Sequence, residues 1–481
     1  MGRNKMWVIL FMLCLAALPQ TPLSASEAGR GESAFAVIWP GQTIQTVVER
    51  HPPGTTFYLW TGEYRMQRIE PRDGDRFIGA GPVVLNGSRR LTSFVREGEW
   101  WVATGQTQEQ DPHGYADPAH PRAVYSEQLF LDDEPLRHVA SKRELTEGAW
   151  YFDYDADKIY MADDPTGRNV ETSVTDLAFD NTGNGVTVRG LTIEKYANRA
   201  QVGAVYAGED WLVQDNEIRL NHGAGIDAGD RTAVIGNYVH RNGHLGVAGG
   251  GDDLLVEGNE IAYNNTAGFD VGWEAGGGKW TETNRLTVRG NYVHHNFGPG
   301  LWTDIDTRDT VYEGNWVYDN ESNGIQHEIS FDAVIRNNVV SGNGADFDVW
   351  VWGSQILIQN SQRVEVIGNW VYVNERGNAI GIINQDREGH VAKHNVVRDN
   401  DITLLADGGT VGAATDNGFE DVFATNRFDG NRYHIRYPDN DHWLWSEGEW
   451  IVWSDFRAHG QEANGTIDDS VALPPPPWTM P

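Results

Sequence analysis

The chain has 481 residues, 55 of them Gly and one Cys, and a formal net charge of −32. Hydrophobic residues at 40% and aromatics at 11% can build a large core, which excludes general disorder and a disulfide scaffold. The acidic balance argues against nucleic acid or an anionic membrane surface as the main partner, since both need Lys/Arg patches.

In chain order, residues 1–25 read as a signal peptide. Arg3 and Lys5 form a basic start, and Trp7 to Leu18 is an apolar run short for a bilayer. Ser24, Ala25 and Ser26 suggest cleavage near Ala25. Cleavage would remove two cations, no acid and the lone Cys14, so −32 becomes −34. The expected product is secreted or periplasmic, with no membrane contact in its mature form. Residues 26–92 are expected to hold an N-terminal cap and the first coils of a repeating fold. Residues 93–175 differ. Glu99-Trp-Trp101, Gln128-Leu-Phe-Leu-Asp132 and Trp150-Tyr-Phe-Asp-Tyr154 read as short strands of an inserted β-subdomain. Repeats are expected over 176–435. A Trp-rich tail, 436–481, would form a last coil or cap before Pro474–Pro477.

Asparagine reveals the repeat. Of 34 Asn, 23 fall between residues 201 and 400. The pattern Asn-x-(Val/Ile/Phe) recurs at Asn216, Asn237, Asn259, Asn291, Asn315, Asn338, Asn369, Asn395 and Asn426. The short spacings cluster near 22, and the longer ones read as that repeat plus a loop. Gly225, Gly246, Gly268, Gly300 and Gly324 each lie nine residues after an anchor. A fixed short period means a solenoid. Apolar alternation, as in Val186-Thr-Val188, has the strand period. Stacked Asn side chains can form an amide ladder.

These units resemble the right-handed parallel β-helix repeats of the pectate-lyase-like superfamily. Pro53-Gly54 to Tyr64 is similar to a first coil of such proteins, and Phe77-Ile-Gly79-Ala-Gly81 with Val84-Leu-Asn86-Gly87 to a second. The resemblance implies an all-β chain: a right-handed parallel β-helix solenoid with a small inserted β-subdomain near the N-terminus. It covers lyases, hydrolases, epimerases and adhesins alike, so it does not choose a reaction.

The register selects a site. Thirteen residues after successive anchors stand Gly229, Gly250, Gly272, Asp304 and Glu328. By parity this column faces solvent, so Asp304 and Glu328 should project from neighbouring strands about 4.8 Å apart. Two carboxylates about 5 Å apart suit a retaining glycosidase. Gly300-Leu-Trp-Thr-Asp304 and Gly324-Ile-Gln-His-Glu328 also resemble β-helical glycoside hydrolases. That resemblance implies catalysis by an Asp on one coil and a Glu about one coil later. Asp304 would be nucleophile and Glu328 acid/base, or the reverse.

Substrate-binding candidates around the pair are Asp227, Asp270, Trp302 and Gln326 at offset eleven, and Glu274 and Asp306 at offset fifteen. The loop from Trp273 to Trp280 adds Trp273, Lys279 and Trp280. Trp273, Trp280 and Trp302 are candidates for stacking on sugar rings. His327 has inward parity and reads first as a buried histidine. Asn384, Gln385, Asp386, Trp350 and Trp352 extend the candidate groove. Asp111-Pro-His113 resembles a motif of alginate epimerases, but lies in the insertion with Gly114 in place of the acid.

The expected partner is an oligo- or polysaccharide, and the hydrolase needs no cofactor. A lyase or epimerase is the first alternative. It would place Ca²⁺ at Asp304, Asp306 and Glu328, with Lys279 or Arg308 as base. A non-catalytic glycan-binding or structural solenoid is the second.

Overall fold

The computed structural model describes residues 34–345, 350–374, 376–405, 409–419, 421–445 and 449–470. The signal-peptide reading of 1–25, with Cys14, and the Pro474–Pro477 terminus lie outside the described residues. No helix among the described residues is long and apolar enough to cross a membrane.

The described chain is a parallel β-helix. Each coil contributes three short strands, and each strand pairs in parallel with its equivalent one coil on. Leu212–Gln214, Ala233–Ile235 and Leu255–Glu257 stack on one face. Glu217–Arg219, Tyr238–His240 and Glu260–Ala262 stack on a second. The long first strands, Thr56–Arg65 and Arg76–Asn86, run along both faces and merge them into one 24-stranded sheet. The third face is an 11-stranded sheet that includes Ala224–Ala228, Leu245–Gly249, Gly276–Thr281, Leu301–Asp304 and Ile325–Glu328. Inward residues form aliphatic columns. Ile226, Val247, Leu301, Ile325, Ile356 and Ile380 are all fully buried.

Both ends are covered, as a solenoid's open edges require. Helix Ile44–Glu49 inserts Ile44 and Val48 at one end. At the other, the antiparallel strands Trp443–Trp445 and Glu449–Ile451 close the third face, and helix Trp453–Ala458 packs Phe456 against Trp443 and Trp445.

The insertion folds into two small sheets. One orders Val95–Glu97, Trp100–Thr104, Lys158–Met161, Ala149–Asp153 and Arg137–His138; the other orders Ser88–Arg90, Val170–Ser173, Leu129–Leu131 and Glu134–Pro135. Trp150, Phe152, Ile159 and Met161 are the centre of its core. A fully buried Lys195 on the solenoid contacts Glu171 of the insertion and ties the two together.

Two amide ladders run through the turns. The first is Asn216, Asn237, Asn259, Asn291, Asn315, Asn338, Asn369, Asn400 and Asn431. Each side-chain amide donates to the next Oδ1 at 2.9–3.0 Å. The second is Asn221, Asn242, Asn264, Asn296, Asn320 and Asn343, ending on Gln355. The anchors Asn395 and Asn426 do not continue the first ladder. From Asn369 it passes to Asn400 and Asn431, while Asn395 accepts from Val364 N in another turn. The 26-residue step from Asn369 to Asn395 is therefore not a coil length; each of the last coils advances 31 residues.

A second correction concerns the long coil after Asn259. Its third-face strand is Gly276–Thr281, so Val247 stacks on Gly278, nine positions beyond Phe269. Gly278 then stacks on Leu301. The segment from Gly268 to Ala275 is a loop placed before the strand. Gly278 is required here because a Cβ would meet the Trp280 ring at 2.6 Å.

An interior rung tests the ladder. The Asn315 amide also donates to Val288 O at 2.9 Å, and its Oδ1 accepts from Asn291 N and Nδ2. Asn315→Ala leaves these buried groups without partners, at about 1–3 kcal/mol for each unsatisfied group. Urea unfolding should show a loss of about 2–5 kcal/mol. The exposed Asn464→Ala should stay within about 0.5 kcal/mol of wild type. Equal effects at both positions would refute the ladder's role.

Candidate active site

Asp304 ends strand Leu301–Asp304 and Glu328 ends strand Ile325–Glu328. Trp302 pairs with Gln326 and Thr303 with His327, so the register places Asp304 beside Glu328. Their column reads Thr281, Asp304, Glu328, Gln359. Gly229 and Gly250 precede it on the earlier coils. Gly272 does not belong to the column, because the loop shifts the strand and puts Thr281 there.

Both acids are nearly buried, Asp304 at 7% and Glu328 at 5% exposure. Lys279 Nζ lies 2.9 Å from Asp304 Oδ2. The same ammonium sits 3.6 Å from the centre of the Trp302 ring and donates to Trp273 O at 3.0 Å. Glu328 accepts from Gln326 Nε2 at 2.8 Å and from Arg387 Nη2 at 3.1 Å. Burial pushes the Glu328 carboxyl up to about 7, and the neighbouring Asp304 charge pushes the same way. Gln326 is itself fixed by Asn323 Nδ2, which donates to its Oε1 at 2.8 Å.

The remaining candidates separate into three groups. Lys279, Trp302, Gln326 and Asp227 share one outward column, in which Ala248 pairs with both Asp227 and Lys279. Trp273, Glu274 and Asp270 come from the loop. Glu274 lies 3.8 Å from Lys279, and its carboxyl is raised, chiefly by burial. Asp270 is exposed at the rim, accepting from Gly272 N. Asp306 leaves the site. The chain turns at Ile305 and Asp306, both at positive φ, and Asp306 faces His390 at 3.3 Å.

Trp280 and His327 are corrections. Trp280 points into the solenoid core with 0% exposure, so it has no face free for a sugar. His327 is equally buried. Its Nδ1 lies 2.6 Å from Thr303 Oγ1, and burial lowers its pKa to about 3. It is a neutral interior residue, as its parity indicated, and not a substrate contact.

Arg387 and Gln201 escaped the sequence reading, and His113 stands out there only within the Asp111-Pro-His113 motif. Arg387 reaches Glu328 from the coil after Asn369, one position past Asp386. His113 Nε2 lies 2.9 Å from Gln201 Oε1, and Gln201 Nε2 donates to Glu274 at 2.9 Å. The insertion reaches the loop directly, since Asp270 N donates to Tyr115 O and Asp117 N to Gly268 O, both at 3.0 Å. Trp352, Gln359, Pro299 and Arg387 complete a groove with a cavity of about 260 Å³ around Trp302, Gln326 and Glu328. Among the described residues no group of three or more His, Cys, Asp or Glu is arranged to hold a metal ion. Asp304 and Glu328 instead each face a cationic side chain.

A family model for the right handed beta helix region matches residues 202–363. The chain is a right-handed parallel β-helix. No curated protein matches it in sequence. Among solved structures, this β-helix is similar to XylC in complex with xylose, at 14% identity and a TM-score of 0.65, covering 89% of this chain and 83% of that one. The A-module of the mannuronan C-5 epimerase AlgE6 of Azotobacter vinelandii follows at 15% identity and TM-score 0.48, covering 90% and 93%. A structure described as a glycoside hydrolase matches at 11% identity and TM-score 0.44, covering 89% and 99%. At these identities the likeness is one of fold.

The acid cluster has a measurable signature in stability. Burial, with the Glu274 charge second, raises Asp227 from 3.8 to about 7. The folded state then keeps a proton that the unfolded chain releases near pH 4. The stabilisation from this group is complete below about pH 4 and lost as pH rises through about 7. Asp227→Asn should match wild type near pH 4 and exceed it near pH 8 by about 1–3 kcal/mol. Urea unfolding at the two pH values reads the difference. A gap independent of pH would show that Asp227 titrates normally.

Proposed function

We propose that this β-helix is a secreted carbohydrate-active enzyme: a retaining glycoside hydrolase acting on an oligo- or polysaccharide. Asp304 is the nucleophile and Glu328 the acid/base. The observation that carries the reading is the raised Glu328 carboxyl beside an Asp304 held against an ammonium. A general acid must keep its proton near neutral pH, and a nucleophile must not. Here burial and the like charge act on Glu328, while the ammonium of Lys279 lies 2.9 Å from Asp304 Oδ2.

In the first step Glu328 gives its proton to the leaving glycosidic oxygen as an Asp304 oxygen bonds the anomeric carbon. In the second, Glu328 takes a proton from water, which attacks that carbon and releases Asp304. Neighbouring strand positions about 4.8 Å apart favour this route over inversion, which needs room for a water between the carboxyls. Trp352, half-buried, lines the groove as an apolar face for a sugar ring, whereas Trp302 is 4% exposed and carries Lys279 over its ring.

One observation favours the lyase or epimerase alternative: Arg387 lines the groove and would suit a uronate carboxylate. Ca²⁺ at Asp304, Asp306 and Glu328 is disfavoured, because Asp306 turns away and the other two acids already pair with cations.

The test is a panel of neutral and uronate glycans, with and without EDTA. It begins with xylosides, because the similar fold of XylC was solved with xylose. The expected result is EDTA-resistant release of reducing sugar with retained anomeric configuration. Activity should fall on the alkaline side through about pH 7, as Glu328 loses its proton. Asp304→Asn and Glu328→Gln should each cost about 10²–10⁴-fold in kcat, and the second should also abolish the alkaline limb. Unsaturated-uronate absorbance would establish a lyase and overturn the proposal.

A further inference from the structure

The first two strands of the solenoid carry an uncovered aromatic surface. Strand Phe35–Ile38 alternates exposed and buried residues, and Thr56–Arg65 keeps the alternation through Trp60. Val37 pairs with Tyr58 and Ile38 with Leu59, so Trp39 comes beside Trp60. The inward set, Ala36, Ile38, Phe57 and Leu59, belongs to the core. The outward set is Phe35, Val37, Trp39, Tyr58 and Trp60, exposed at 68%, 38%, 50%, 39% and 46%. Apolar side chains grouped and exposed in this way mark a binding face.

Close packing fixes the turn that carries Trp39. Its N donates to Gln42 Oε1 at 2.7 Å, and Gln42 N donates to Trp39 O at 3.1 Å. Pro40 sits so tightly on Gly62 that a Cβ there would meet its Cγ at 2.5 Å. The Trp39 and Trp60 rings lie 5.0 Å apart with 39° between their planes, and Phe35 and Tyr58 meet edge to face at 6.5 Å.

A second copy of the chain fits this face poorly. Five side chains fall far short of the roughly 20–30 residues that each side of a stable interface contributes. The net charge of −32 opposes self-association, and it opposes an anionic membrane equally. The edge strand has four residues and runs into Pro40, which donates no hydrogen bond, so it offers little backbone for pairing. The preceding residues, Ser26 to Ser33, hold no large apolar side chain to cover the rings.

The composition points elsewhere. Four of the five side chains are aromatic, and flat rings suit the apolar C–H faces of sugars. The Tyr58 hydroxyl and the side-chain NH₂ of Gln42 stand ready beside them for sugar hydroxyls. From Phe35 to Trp39 the strand advances about 13 Å, at about 3.3 Å per residue, which is longer than one sugar ring.

We propose that this face binds the flat side of an extended, neutral polysaccharide and holds the protein on insoluble polymer. It lies on the 24-stranded sheet, whereas Asp304 and Glu328 lie on or end strands of the 11-stranded one. The carbohydrate class of the partner rests on the proposed function, but the binding needs neither acid to be catalytic.

The probes are insoluble xylan, cellulose and chitin, each sedimented with the full chain carrying Glu328→Gln, which spares the polymer from hydrolysis. At least one polymer should carry the protein down. Trp39→Ala combined with Trp60→Ala should weaken that binding at least about tenfold, about 1.4 kcal/mol or more. Trp450→Ala, which removes a tryptophan of similar exposure (45%) at the other end of the chain, should leave it unchanged. Thermal melting checks folding, and either single variant serves if the pair does not fold. Light scattering should find a monomer. Retention by none of the three polymers, retention indifferent to both tryptophans, or a dimer that their loss dissociates overturns the proposal. With Glu328 restored, the tryptophan variants should match wild type on soluble oligosaccharides. Absence of any hydrolysis there would count against the hydrolase reading alone.

Discussion

The asparagine ladders are the constraint on which everything else depends. Each rung satisfies backbone groups that a tight turn would otherwise bury unpaired, and it does so identically in every coil. Coil length is then free to vary. The ladder steps 21 residues from Asn216 to Asn237 and 32 from Asn259 to Asn291, yet the amide geometry is the same. Loops can therefore enter a coil without disturbing its neighbours. The ladder also needs an end. Glu462 takes the place of a tenth amide, accepting from the Asn431 side chain at 2.6 Å, its backbone N at 3.1 Å and the Tyr433 hydroxyl at 2.8 Å. A carboxylate is suited to this position, because the last rung presents donors and nothing follows to use the donors of another amide.

That rigid frame makes the electrostatics of the groove possible. Asp304 and Glu274 lie 2.9 and 3.8 Å from Lys279, Asp227 stands in the same column, and Glu328 ends the next strand. An open surface would let water screen them. Here burial acts against the charged form of three of the four, and Lys279 is closest to Asp304. The pair is thus made unequal by its surroundings, not by its residue types. Such inequality costs folding free energy near neutral pH, a common price of functional sites.

The sequence carried the fold well and the site in part. Asn spacing and strand alternation are local, repetitive signals, so solenoid, insertion and the Asp304–Glu328 juxtaposition were all legible. Where a loop interrupts a coil, counting from the anchor fails. It placed Gly272 in the column that Thr281 occupies, and it credited Asp306 to a strand that has already turned away. It also read Trp280 as a loop residue, although the shifted strand turns it inward. Asn395 misled for a related reason: it matches the pattern yet serves another turn. Arg387 and His113 left no periodic trace, because their approach depends on how long segments fold back over the sheet.

Those irregular coils are where specificity has room to reside. A regular solenoid offers every coil the same outward face, so it can set the spacing of two carboxylates but cannot enclose a substrate. The walls come from the departures. The loop after Asn259 supplies Asp270, Val271 and Gly272, and the inserted subdomain braces it through Tyr115 and Asp117. The extended coil after Asn338 supplies Trp352, and that after Asn369 supplies Arg387. Because the ladders absorb these insertions, walls can change while the floor stays fixed. Under the hydrolase reading, the reaction is therefore encoded in the repeat and the choice of sugar in its interruptions.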